Sequence, residues 1–198
     1  MPEAIETVYH DMLARFGDTL EKTSEDVNKP GNSVQSGRYM TACRKPVVNF
    51  DKFKGEFIRG MALPEAPLSC DAFYMSASGE LFLIEFKNGR IEAKKNFEIK
   101  VKIFESLLIL LEKLDKTIEF TRRNLTFILV YNEDISHGQS QFDNTDGLLA
   151  IQHNIFALSR SPMIRFGLHR FKNIYFKEIY TYSRAEFEAN FVLKFCKS

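Results

Sequence analysis

Cys70-Asp71-Ala72-Phe73-Tyr74-Met75 and Leu81-Phe82-Leu83-Ile84-Glu85-Phe86-Lys87 are two apolar, aromatic runs of strand length, joined by Ser76-Ala77-Ser78-Gly79-Glu80. The joining segment predicts a hairpin with Ala77, Ser78 and Gly79 as its loop, because a loop of that length needs a residue at positive φ. Counting outward, Ser76 faces Glu80 and Asp71 faces Glu85. Directly opposed residues share a face, with Cβ atoms roughly 5 Å apart. Lys87 lies two residues past Glu85 and joins that face.

Two carboxylates at that separation repel by roughly 3 kcal/mol at an effective dielectric of about 20. Their neighbours on the face are Phe73, Leu81 and Leu83, so water offers little relief. A divalent cation between them turns the repulsion into coordination, since hard cations such as magnesium take oxygen ligands and keep several waters. Lys87 would then hold or help deprotonate one of those waters, which describes metal-assisted hydrolysis. The plainer reading is an Asp at a strand end and a Glu–Lys ion pair at a sheet margin. A buried strand seldom carries charge that is neither paired nor functional.

Asp71, thirteen intervening residues, then Glu85-Phe86-Lys87, a long helix and another strand resemble the PD-(D/E)XK nuclease superfamily over roughly residues 50–131. The resemblance implies an α-β-β-β-α-β core and cleavage of phosphodiester bonds with Mg2+ (or Mn2+). By it, Asp71 and Glu85 are metal ligands and Lys87 is the catalytic lysine. Cys70 stands where the motif has proline. An acidic residue on the helix before the hairpin often joins the metal site in this superfamily. Glu56 is that candidate, or else it is a solvated helix residue.

The chain has 198 residues, 44% hydrophobic and 27% charged, which suits one globular domain over 1–198. Its net charge is +1, so a nucleic-acid partner must be met by a local patch. Cys43, Cys70 and Cys196 show no metal-ligand spacing and read as reduced thiols. No apolar leader and no stretch of membrane-spanning length is visible, so the expectation is a cytoplasmic protein.

Ile5, Val8, Tyr9, Met12, Leu13, Phe16 and Leu20 predict an amphipathic helix over 3–22. Residues 23–46 read as a polar connection. Pro46 to Phe50 reads as a short strand or an extended entry, and Phe50, Phe53, Phe57 and Met61 follow a helical period weakened by Gly55 and Gly60. After Asn88-Gly89, Ile103, Phe104, Leu107, Leu108, Leu111 and Leu114 mark the strongest helix, with Asn96 as its N-cap. Lys100 falls in the middle of that stripe. It reads either as a snorkelling lysine or as one aimed over the sheet toward a scissile phosphate. Lys102 and Lys113 read as a solvated face. Leu125 to Tyr131 is a buried strand, parallel to the Glu85 strand after a right-handed crossover.

A polar loop with His137 and a helix over 148–158 follow. Arg160, Arg165, His169, Arg170 and Lys172 interleave with Phe166, Leu168 and Phe171, as a nucleic-acid grip or as the polar edge of a packed segment. A strand over 174–182 leads to a capping box at Ser183 and Glu186 and a last helix over 184–195. The expected fold is α/β, a mixed central sheet flanked by helices. It carries the PD-(D/E)XK-like core, an N-terminal helix and a C-terminal strand–helix extension. Two functions follow from different classes: a nuclease acting on DNA or RNA, or a protein-interaction module on the same core, immunity- or antitoxin-like.

Overall fold

Gly79 adopts φ 79°. Its N–H donates to the Ser76 carbonyl at 2.9 Å, and the Ser76 N–H donates to the Glu80 carbonyl at 2.9 Å. The hairpin therefore closes in the register that the spacing requires, with Ala72 opposite Ile84 and Met75 opposite Leu81. In the computed structural model, which describes residues 2–29, 31–34, 36–136 and 163–196, this hairpin is β3 (Ala72–Met75) and β4 (Leu81–Lys87) at the centre of a six-stranded mixed sheet. Its other strands are β1 (Gly17–Thr19), β2 (Pro46–Asn49), β5 (Leu125–Tyr131) and β6 (Glu178–Ser183).

The spatial order follows the chain order. β1 to β4 are mutually antiparallel neighbours, and β4, β5 and β6 run parallel. The parallel turn-back between β4 and β5 is made by α4 (Ala93–Leu114) and α5 (Ile118–Asn124), as a parallel connection demands.

Alternation divides the sheet into two cores. Phe73, Leu81, Leu83, Phe127 and Leu129 pack under α1 (Pro2–Phe16), α3 (Phe50–Phe57) and α4. Tyr74, Phe82, Ile84, Ile128 and Val130 pack on the opposite face, against the C-terminal helical segment. That segment starts on the expected capping box. Ser183 Oγ accepts the Glu186 N–H at 3.2 Å, and Glu186 Oε2 accepts the Ser183 N–H at 2.7 Å. Its helical residues run Arg184–Phe187, a π turn over Glu188–Val192, then Leu193–Phe195. None of the helices among the described residues is long and apolar enough to cross a membrane.

The structure departs from the periodicity in three places. The helix expected over 3–22 stops at Phe16, because Gly17 leaves the helix to pair with Val48 in β2. A Cβ at Gly17 would stand 2.4 Å from the Leu13 carbonyl oxygen. Thr19 then caps a separate short helix, α2 (Leu20–Thr23), its Oγ1 accepting the Lys22 N–H, so Leu20 enters the opposite core. The helix after Phe50 ends at Phe57, and Met61 is 48% exposed. The strand expected over 174–182 begins only at Glu178. Asn173, at φ 62°, turns the chain between a 3-10 turn at Leu168–Phe171 and that strand. His137, Arg160 and the helix expected over 148–158 lie outside the described residues.

Two glycine substitutions should move stability in opposite directions. Gly17→Ala forces a backbone clash and is expected to lower the unfolding free energy by about 1–3 kcal/mol. Gly55→Ala, in the α3 interior with open space around the new methyl, is expected to raise it by about 0.5–1 kcal/mol. Urea unfolding of both variants measures the signs.

Candidate active site at the margin of the hairpin

Asp71 immediately precedes β3 and extends its ladder. Its N–H donates to the Ile84 carbonyl at 3.0 Å, and its carbonyl accepts the Phe50 N–H at 3.1 Å. The β3–β4 register ends at Ala72 opposite Ile84, and the Asp71 N–H doubles onto that same Ile84 carbonyl; its side chain meets Glu85 at Lys102. The side chain is fixed too: the Phe86 N–H donates to Asp71 Oδ2 at 2.6 Å. Glu85 is fully enclosed, at 0% exposure. Lys87, two residues on, is half-buried at the rim. Among the described residues its ammonium forms no ion pair or hydrogen bond, and its charge is felt at Glu85.

The cation that meets the carboxylates comes from α4, and it is Lys102. Its Nζ lies 2.7 Å from Glu85 Oε1 and 3.9 Å from Asp71 Oδ1. Ser106 makes this approach possible. It is wholly buried one turn later on the same face, and its small hydroxyl accepts the Cys70 N–H at 2.7 Å. The helix is thereby tied to the residue before Asp71. Glu105 adds a second tie, accepting the Leu68 N–H at 2.6 Å.

Lys102, expected on a solvated face, is turned inward onto Glu85; Lys100, expected either to snorkel or to aim over the sheet, is partly buried with its Nζ beside Gly167. Leu108 was counted into the stripe, yet it is 64% exposed. The buried stripe runs through Ile99, Ile103, Ser106, Leu107 and Leu110, which turns Lys102 inward. A serine at helical spacing from Ile99, Ile103 and Leu110 is the signal that would have revealed this. Asn96 also lies inside the helix, one turn after the N-cap Glu92.

Glu56 pairs with Arg59 and Arg15, away from Asp71 and Glu85. The acid of α3 whose charge reaches Asp71 is Asp51, which accepts a hydrogen bond from Ser69. A cavity of about 880 Å³ opens at the turn end of the hairpin, lined in part by Tyr9, Met75, Ser78 and Phe120. It includes none of Asp71, Glu85, Lys87 or Lys102.

Burial pushes the Glu85 carboxyl well above the usual carboxylate range; the Asp71 charge adds to this, and Lys102 opposes it. Burial also raises Asp71, against the pull of Lys102 and of the Phe86 N–H. For Lys102, burial works against the charge, but Glu85 and Asp71 outweigh it and hold the ammonium more firmly than usual.

Among the described residues Glu85 Oε2 is buried and meets no N–H or O–H donor, and the same holds for Asn96 Oδ1; the group against Glu85 is the Asp71 carboxyl, hydrogen-bonded to it. Among the described residues no group of three or more His, Cys, Asp or Glu side chains is disposed to hold a metal ion. Two carboxylates are nevertheless a donor set that magnesium accepts when waters or phosphates complete its shell. Of the four carboxylate oxygens, Glu85 Oε2 is the one that no nitrogen of the described residues meets, and it is the one such an ion would take.

No protein-family model, no curated protein and no solved structure matches the chain.

The trio makes stability depend on pH. Burial raises the folded-state Glu85 carboxyl above its unfolded value of about 4.3, so Glu85 holds its proton to higher pH in the folded chain than in the unfolded one. Its contribution is therefore favourable at low pH and is lost as pH rises toward the raised folded value. The unfolding free energy of Glu85→Gln, relative to wild type, is expected to climb between pH 5 and 8 in a denaturation series. Lys102→Met leaves both carboxylates without their cation and is expected to cost about 3 kcal/mol at pH 8, less at pH 5. Lys100→Met is expected to stay within about 0.5 kcal/mol of wild type in the same assay.

Proposed function

We propose that the chain is a metal-dependent nuclease of the PD-(D/E)XK type that hydrolyses phosphodiester bonds of nucleic acid. The observation that carries this reading is the enclosed Glu85, whose Oε2 meets no donor among the described residues and whose carboxyl lies against that of Asp71, the residue just before β3. With β1 and α2 set between α1 and β2, α3 after β2 and α5 after α4, the order α1, β2, β3, β4, α4, β5 can be read as an α-β-β-β-α-β series, which supports it.

Asp71 and Glu85 would hold Mg2+ or Mn2+. When bound, such an ion polarises a phosphoryl oxygen and lowers the pKa of water. The protein's own groups do the rest. The Phe86 N–H fixes the Asp71 carboxylate. Lys102 orients Glu85 and limits the repulsion between the acids. Lys87, at the rim and without a carboxylate partner among the described residues, would hold the attacking water or a phosphate oxygen at the Glu85 side.

A second reading draws on Lys102 itself. An ammonium already paired with Glu85, in a chain of net charge +1, also suits a non-catalytic protein-interaction module on the same core.

Wild type is expected to cut at least one substrate among single-stranded and duplex DNA and RNA when Mg2+ or Mn2+ is present. Lys87→Ala should fold normally and lose about 10²- to 10⁴-fold in rate. The metal should raise the melting temperature of wild type, since it binds only the folded state, and Asp71→Asn should remove that rise. Absence of cleavage together with a melting temperature indifferent to metal would leave the interaction module as the function.

A further inference from the structure

β4 and β5 run parallel with Lys87 beside Tyr131, and both strand ends reach the same margin of the sheet. Tyr131 packs in the core cluster of Leu81, Leu83 and Leu129, so it lies on the Glu85 face. The chain re-enters the described structure at Met163, and Thr181 of β6 pins it there. The buried Thr181 hydroxyl donates to the Met163 carbonyl at 3.0 Å and accepts the Arg165 N–H at 2.9 Å. This sets the Arg165 guanidinium over the Tyr131 ring, 5.7 Å from its centroid.

Phe166 and Gly167 then take φ 59° and 67°. A left-handed phenylalanine costs about 1–2 kcal/mol, and the surrounding contacts must hold it. The bend sets the Phe166 ring edge-on to Tyr131, with centroids 5.4 Å apart. It also brings the chain to α4: a Cβ built on Gly167 would stand 3.9 Å from Lys100 Nζ. Arg165 thus lies over the Tyr131 ring, Lys87 is the strand neighbour of Tyr131, and Lys100 reaches Gly167, the residue after Phe166. Among the described residues none of the three forms an ion pair with a carboxylate, as is true of several other cations; what distinguishes them is their place beside Tyr131 and Gly167. Glu133 and Glu186 are felt at Tyr131, but each spends an oxygen on a backbone N–H, of Arg184 and Ser183.

We infer that Lys87, Lys100 and Arg165 form a subsite for consecutive phosphates of a single-stranded nucleic acid, with the half-buried Phe166 offering its outer surface to a base. The inference rests on the nuclease reading, since the subsite adjoins Glu85 and would deliver the strand to it. Its size selects a single strand. Specific duplex interfaces bury about 1,000–2,500 Å² and are strongly positive, whereas this chain carries +1 overall and, among the described residues, brings three cations without a carboxylate ion pair near Tyr131 and Gly167. Short electrostatic contact combined with aromatic stacking is how single strands are held.

The test is fluorescence anisotropy with labelled single-stranded DNA, single-stranded RNA and a hairpin duplex, in chelator, over a salt series. Single strands should bind more tightly than the duplex, with a slope of log K against log salt of roughly −2, about 0.7 for each phosphate neutralised. Arg165→Ala and Lys100→Ala should each flatten the slope by about 0.7, and Arg165→Lys should restore it. Phe166→Ala should weaken binding at an unchanged slope. A difference between the DNA and RNA arms identifies which strand is preferred. Slopes unaltered in both alanine variants, preference for the duplex, or no binding would overturn the subsite. Cleavage by wild type with unaltered slopes removes the subsite and keeps the nuclease. Slopes that respond as expected, with no cleavage of any substrate, keep the subsite and remove the nuclease.

Discussion

The ammonium of Lys102, 2.7 Å from Glu85, is the contact on which the centre of this protein depends. Glu85 sits on a strand buried on both faces, where an isolated carboxylate is untenable. Lys102 makes the charge tolerable, and Ser106 makes Lys102 possible by letting α4 lie close to the sheet. The same serine holds the Cys70 N–H, so one helix face sets both the counter-ion and the start of β3. A well-packed apolar trio would serve stability at least as well. The charged trio of Asp71, Glu85 and Lys102 leaves Glu85 Oε2 without a donor among the described residues and with the Asp71 carboxyl against it.

Legibility in the sequence followed the range of the interaction involved. The hairpin register was readable because a single glycine at a fixed offset determines it; Gly79 at φ 79° and the pairing of Phe73 with Leu83 are what the spacing demands. The buried β5 and the Ser183–Glu186 cap were equally local signals. The inward lysine was not readable by counting apolar residues, since Leu108 belongs to the hydrophobic set yet points to solvent. Helix rotation is decided by what the sheet presents, and here the sheet presents a carboxylate. Gly17 failed for a related reason: its place in an otherwise continuous stripe gives no hint that β2 will recruit it as an edge partner.

The acids of α3 show the same limit. Glu56 and Asp51 both sit on the helix before the hairpin. Glu56 is turned to Arg15 on α1, while Asp51, in the first turn, is drawn by Ser69 toward the margin where Asp71 begins. Spacing offered no means of choosing between them, because the choice is made by the 58–69 connection and its Ser69 hydroxyl.

The parallel run of β4, β5 and β6 has a consequence for how such a protein can diverge. Lys87, Tyr131 and Ser183 end neighbouring strands at one edge, so three separate connections leave from the same place. The acids are held by the antiparallel hairpin and by α4, which lies within the first of those connections. Insertions after Tyr131 or after Ser183, or in residues 88–92 ahead of α4, therefore alter the surroundings of the acids without exchanging the groups that hold them. Surroundings and acids are then free to drift at different paces.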